Sequence, residues 1–238
     1  MLGTSLPNIW ADVIAVMALG VAILDHVDLR TVRSEMPSRD VGHFPFYLKD
    51  IGNLVRRARK SIVICCDHPA YGSFSGRDMF ITYRDELQRR NDANFPVTIA
   101  CLNAEERAAR LREQFGDADR DWRRFRDANR KRVRDYIEHH AYQGDTEDLS
   151  FEQFIALVSK ENAHMLQTVF ESATKRHLKS RVPVYYWLAD DDWMIFAIPG
   201  THHRSEHAFY THDKNLIRGI LEITEQFTNL AAHAEKKS

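Results

Sequence analysis

The sequence predicts an α/β domain in which a central mixed sheet is flanked by helices. Three observations carry this expectation. Two short, continuous apolar runs, "IVICC" and "PVTIACL", have the composition of buried strands. Helical-period segments precede, separate and follow them. A pair of apolar runs, "VPVYYWLA" and "WMIFAIP", brackets Asp190-Asp191-Asp192 and forms a hairpin. Such alternation buries a sheet between helical layers.

The elements follow in order. Residues 9–27 are strongly apolar, with an uninterrupted core from Val13 to Leu24 bounded by Asp12 and Asp25. A spanning helix takes roughly 18–20 apolar residues, so the segment suits either a buried helix or a short membrane anchor. Arg30, Arg33 and Arg39 follow it, and the positive-inside tendency would keep the remainder of the chain in the cytoplasm, held at the inner membrane. Residues 28–45 look like a linker or short helix. The division expected is thus 1–45 for the apolar helix and linker, and 46–238 for the α/β domain. Tyr47, Leu48, Ile51, Leu54, Val55 and Ala58 share one helix face. After "IVICC" comes a Gly/Ser loop, with Ser75 as the expected cap of the next helix. A helical insert spans about 104–175; within it Ser150 and Gln153 form a capping box. The last helix starts near Asp213, and the tail "AAHAEKKS" is expected to fray.

Composition narrows the functional classes. The 238 residues carry 33 basic and 34 acidic side chains, so overall charge selects neither nucleic acid nor membrane. Three cysteines, two of them vicinal, make no disulfide framework and fit a reducing cytoplasm. No secretory-type basic N-terminus and no internal repeat stand out.

Roughly residues 46–228 resemble the phospholipase D-like superfamily. "KSIVICCDHPAY" is similar to that family's first strand, and the stretch from "PVYYWLADDDWMIFAIPG" to "ILEITEQF" is similar to its terminal hairpin and helix. The resemblance implies a phospholipase D-like sandwich and, for a single-copy member, a homodimer. Active members carry His-x-Lys-x4-Asp and then Gly-Ser-x-Asn. With Asp190 in the Asp slot, Pro183 and Tyr185 fill the His and Lys slots; with Asp191 there, Val184 and Tyr186 fill them. Phosphoryl transfer through a covalent intermediate needs a nucleophile and cationic support for charged oxygens. None of these four side chains supplies either. The sequence therefore looks like a degenerate member.

Candidate sites follow from strand exits, where open α/β sheets place ligands. Asp67, His68, Tyr71 and Ser73 lie just after "IVICC", and His203, Glu206 and His207 lie in a second polar loop. Together they are the expected ligand-binding set, with His68 or His207 as acid/base residues if the chain is an enzyme. Cys65 and Cys66 read as core residues. The histidine spacing matches no metal signature, so neither metal nor cofactor is expected. The three Asp read as a solvated turn. Arg120 to Arg134 holds eight basic residues against Asp121 and Asp127. Arg123, Arg126, Arg130 and Arg134 share a helical azimuth and could meet nucleic acid, anionic lipid or an acidic partner. The expected function is a non-catalytic sensor or interaction module, tethered to the membrane through 9–27. The alternatives are a phosphodiester hydrolase with a rearranged His site and an anion-binding module.

Overall fold

The computed structural model describes residues 37–139, 148–178, 180–199 and 206–235. Its main body is Asp40–Ser238. The apolar segment 9–27 lies outside the described residues. Among those described, no helix is long and apolar enough to cross a membrane.

The body is a mixed α/β structure built on a seven-stranded sheet. The strands are β1 (Ser38–His43), β2 (Ile62–Cys65), β3 (Val97–Leu102), β4 (Thr174–Leu178), β5 (Tyr185–Ala189), β6 (Trp193–Ile198) and β7 (His207–Thr211). Their spatial order is β1-β7-β6-β5-β2-β3-β4. β2, β3 and β4 run parallel; β5, β6 and β7 each run antiparallel to the neighbour before them. The eight described helices are α1 (Leu48–Arg57), α2 (Arg77–Asp92), α3 (Ala104–Gln114), α4 (Gly116–Arg120), α5 (Trp122–Ala128), α6 (Arg130–His139), α7 (Phe151–Gln167) and α8 (Lys214–Glu235).

β2 and β3 are buried almost throughout, as their continuous apolar runs require. Ile64 pairs with Ile99 on one side and Trp187 on the other, which fixes the sheet centre. The Trp187 indole N–H donates to the Tyr83 hydroxyl of α2 at 3.1 Å, tying that helix to the same face.

Parallel strands need a crossover. Residues 103–173 are that crossover between β3 and β4, so the helical insert is part of the sheet's wiring. It has its own core, in which Val133, Tyr136, Phe151, Phe154 and Ile155 are buried. Ser150 and Gln153 form the expected reciprocal capping box.

Four expectations change. The stretch read as linker contains β1, an edge strand beside β7. Thr174–Leu178 forms β4, the opposite edge, although four of its five residues are exposed. Gly76, not Ser75, is the N-cap of α2, and no side chain caps that helix. The last helix continues to Glu235, through most of the stretch expected to fray.

The loop from Asp67 to Gly76 lies directly on α1. Gly72 has φ +88°, and a Cβ there would sit 2.4 Å from Leu48 Cδ1. A Cβ on Gly76 would sit 2.7 Å from Pro45 Cβ. The two glycines allow the strand exit to turn sharply against the helix.

Candidate functional site

The exit of β2 meets the start of β7 in a buried polar cluster. Asp67 is fully buried. Its Oδ2 accepts from the Tyr185 hydroxyl of β5, and from the Arg110 Nε–H of α3 at 3.1 Å. Arg110 is 9% exposed and also reaches Glu113 at 2.5 Å. Burial raises the Asp67 carboxyl above its ordinary range, while Tyr185 and Arg110 oppose the rise.

Glu206 is the second buried carboxyl. Its Oε1 receives the hydroxyls of Tyr47 and Tyr71, and those two hydroxyls also contact each other. Burial raises the Glu206 carboxyl above its ordinary range, the Tyr47 and Tyr71 hydroxyls oppose the rise, and the Asp67 charge adds to it. Tyr71 binds the halves together, packing on Tyr185 at 5.7 Å and Trp187 at 5.3 Å between ring centroids.

The cluster is densely filled. Tyr47, Tyr71 and Tyr185 occupy the space between the carboxyls, and all three are buried. A pocket lies at the other end of the sheet, where β2 and β3 begin, beside Ser61, Asn94, Phe95 and Thr174.

The expected site residues divide between several environments. Asp67, Tyr71 and Glu206 converge. His68 is buried next to them. Burial, with the Arg110 and Arg107 charges, pushes its pKa down to about 3, although the Gln114 side chain opposes this. Its ring is therefore neutral at ordinary pH. Ser73 is buried on the crossover side, where it acts on Tyr136. The Tyr136 hydroxyl donates to Glu161 at 2.6 Å, and Glu161 also pairs with Arg77 at 2.8 Å. His207 lies on β7 against the edge strand β1, with its ring 3.8 Å from that of His43 and its Nδ1 3.8 Å from Asp40. Adjacent strand residues point to opposite faces, which separates His207 from Glu206. His203 lies outside the described residues.

Tyr47, Arg110 and Tyr185 complete the cluster but were not among the candidates. In sequence, Tyr47 reads as a helix-face residue, Arg110 as one charge among many, and Tyr185 as a strand residue.

The cysteines are inert. Cys65, Cys66 and Cys101 are free and buried. Burial pushes the Cys65 thiol up to about 12 and raises Cys66 well above its ordinary value. Among the described residues no group of three His, Cys, Asp or Glu side chains has metal-binding geometry.

Asp190 and its neighbours are not a purely solvated turn. The Asp190 carboxylate accepts backbone N–H groups from Arg59 (2.9 Å), Lys60 (2.6 Å) and Ser61 (3.1 Å). Partial burial raises its pKa, but those three donors outweigh that and leave it lowered.

The basic crossover residues sit on two helices separated at Asn129. Arg123, Arg130 and Arg134 are exposed. Arg126 is set apart: its side chain is 14% exposed and lies 3.6 Å from Asp127. Three of the four are thus exposed, and the break at Asn129 divides the four between two helices.

No family model matches the chain, and no curated protein matches it. Among solved structures, it is similar to an archaeal chromatin protein, TrmBL2, whose structure shows a mode of DNA binding. Identity is 11% and the TM-score 0.37, over 94% of this chain and 65% of that one. It is also similar to NucT from Helicobacter pylori, at 8% identity and TM-score 0.37, over 80% of this chain and 94% of that one. Phosphatidylserine synthase from Haemophilus influenzae matches at 12% identity and TM-score 0.34, over 81% of this chain and 37% of that one. The last two are phospholipase D-like superfamily members. All three likenesses are loose, and none carries an activity to this chain. The chain spans less than two thirds of the chromatin protein and of the synthase.

Proposed function

We propose that the chain is a non-catalytic phospholipase D-like domain that works as a sensor or interaction module. The observation that carries this is the state of Tyr185. With Asp190 in the aspartate slot, the position where an active member would hold a cationic lysine is Tyr185, a buried phenol committed to Asp67; with Asp191 there it is Tyr186, also a buried phenol. Pro183, in the nucleophile slot, has neither a nucleophilic atom nor a titratable proton. Asp190, in the aspartate slot, caps the backbone of Arg59–Ser61. The neutral, buried His68 supports the same reading, because a group with so low a pKa is a poor proton acceptor near neutrality.

Attachment at the cytoplasmic face of a membrane through residues 9–27, and pairing as a homodimer, belong to this proposal. The buried free thiols are compatible with a reducing compartment.

The test uses the purified full chain with bis-p-nitrophenyl phosphate, phospholipid vesicles and single-stranded DNA. No turnover above buffer is expected. Hydrolysis that falls in His68→Ala or His207→Ala would overturn the proposal and favour a rearranged hydrolase.

A further inference from the structure

We infer that the outward face of α4–α6 is a docking surface for the phosphate backbone of duplex nucleic acid. The inference is independent of the Asp67–Glu206 cluster. It starts from how these helices use their two sides. Val133, Tyr136 and Ile137 are buried in the crossover core. Trp122 and Phe125 pack against the same core, and the Trp122 N–H donates to Leu149 O at 2.5 Å. The apolar side packs within the protein, with Trp122 and Phe125 partly buried.

The opposite side is basic and open. Arg120, Arg123, Arg124, Lys131 and Arg132 are exposed and form no ion pair with another described residue. Several nearby acids are already engaged. Asp121 caps α5 by accepting the Arg124 N–H at 3.1 Å, Asp127 lies against Arg126, and Glu138 lies 3.8 Å from Arg134. Asp119 and Asp135 temper the patch without neutralising it. The ten-residue α6 alone is about 15 Å long at 1.5 Å per residue. Duplex DNA presents a charge every ~1.7 Å of its axis, so that span faces several phosphates.

The residue types select among anionic partners. Arginine dominates, and its planar fork binds phosphate oxygens in pairs. Single-strand binders stack bases on exposed aromatics, whereas Trp122 and Phe125 are turned inward. An interfacial membrane helix inserts an apolar face among lipids, and here that face is occupied. A duplex backbone asks for exposed positive charge, which this face provides.

The experiment measures fluorescence anisotropy of a labelled duplex of about 20 base pairs, of arbitrary sequence, against the full chain in rising salt. Binding should weaken steeply, with a log–log slope near about −4 if four or five phosphates are neutralised. The triple variant Arg120→Glu, Arg124→Glu, Lys131→Glu should lose at least about tenfold in affinity at fixed salt, with its circular dichroism unchanged. Three results would overturn the inference: no duplex binding at low salt, full binding by the folded triple variant, or binding to phosphatidylserine vesicles but not to duplex. If the triple variant misfolds, the single substitution Lys131→Glu, on the exposed side of α6, takes its place and should reduce the salt slope by about one; an unchanged slope would count against the surface. Cleavage of the bound duplex would overturn the non-catalytic proposal while leaving this one intact.

Discussion

The Tyr185 hydroxyl donates to the same Asp67 oxygen that receives the Arg110 Nε–H. One donor comes from the sheet and the other from the crossover. The other oxygen, Oδ1, is buried without a hydrogen bond. A buried carboxylate in this position depends on both donors, but not equally. Arg110 supplies charge as well as a proton.

Tyr185→Phe keeps the ring and deletes the donor. It should cost about 1–3 kcal/mol, the range for leaving a buried acceptor short of a partner. Arg110→Ala leaves a buried charge without its counter-ion and should cost about 3–5 kcal/mol. Urea denaturation of both variants checks the order. Equal costs would mean that Asp67 is already protonated in the folded protein.

The pH dependence has two opposing parts. His68 falls to about 3 when folded, from an ordinary value of 6.5. The unfolded chain therefore binds the extra proton between those values, and stability is lost as pH falls from 6.5 toward 3. The carboxyls of Asp67 and Glu206 are raised when folded. Their contribution is complete below the ordinary carboxyl range and is lost as pH rises through their folded values. His68→Leu should flatten the acid side of the stability profile, and Glu206→Gln should flatten the decline on the other side. Chemical denaturation across pH 4–8 reads both. An unaltered acid limb in His68→Leu would show that the imidazole is solvated.

The β5–β6 turn separates two aspartates that look alike in sequence. Both Asp190 and Asp191 have φ +59°. Asp190 accepts three backbone N–H groups through its carboxylate, so Asp190→Ala should cost about 1–3 kcal/mol. Asp191 carries the same strained backbone, and Asp191→Gly should gain about 0.5–1 kcal/mol by relieving it. Thermal melts of the pair should move in opposite directions. A loss in Asp191→Gly would mean that its side chain contributes more than the backbone relief.

What was legible in the sequence was whatever burial alone determines. β2, β3 and β5 are buried almost throughout and β6 is mostly buried along its middle, so composition marks them. The edge strands are different. "TKRHL" and "SRDVGH" become strands because β3 and β7 offer them partners, and nothing in their own pattern declares it. At the site, the strand-exit argument grouped Asp67 and Tyr71 with Glu206, and the structure places the three in one cluster. They did not separate His207 from Glu206 or Ser73 from Tyr71, although strict alternation would have divided the first pair. Tyr47 and Arg110 were hidden because their partners lie on other elements, 159 and 43 residues away in sequence.

Phe74 offers the sharpest test of how the site loop is held. It leaves the same loop as Asp67 but enters the crossover core. There its ring stands 5.1 Å from Phe154, 5.7 Å from Phe115 and 5.7 Å from Tyr136, between centroids. The Ala70 N–H adds a second tie, donating to Asn162 of α7 at 3.0 Å. Phe74→Ala should therefore cost about 2–4 kcal/mol, toward the lower part of the Phe→Ala range because the ring is half-buried. Phe46→Ala is the control. That ring is 70% exposed, and its loss should stay within about 0.5 kcal/mol. Hydrogen exchange locates the effect. Amides of α3 and α7 should lose protection in Phe74→Ala while β5 and β6 keep theirs, because the sheet centre does not use Phe74. Equal loss across the sheet and the crossover would show that the two cores open as one unit. No loss in either would mean that Asn162 alone holds the loop in place.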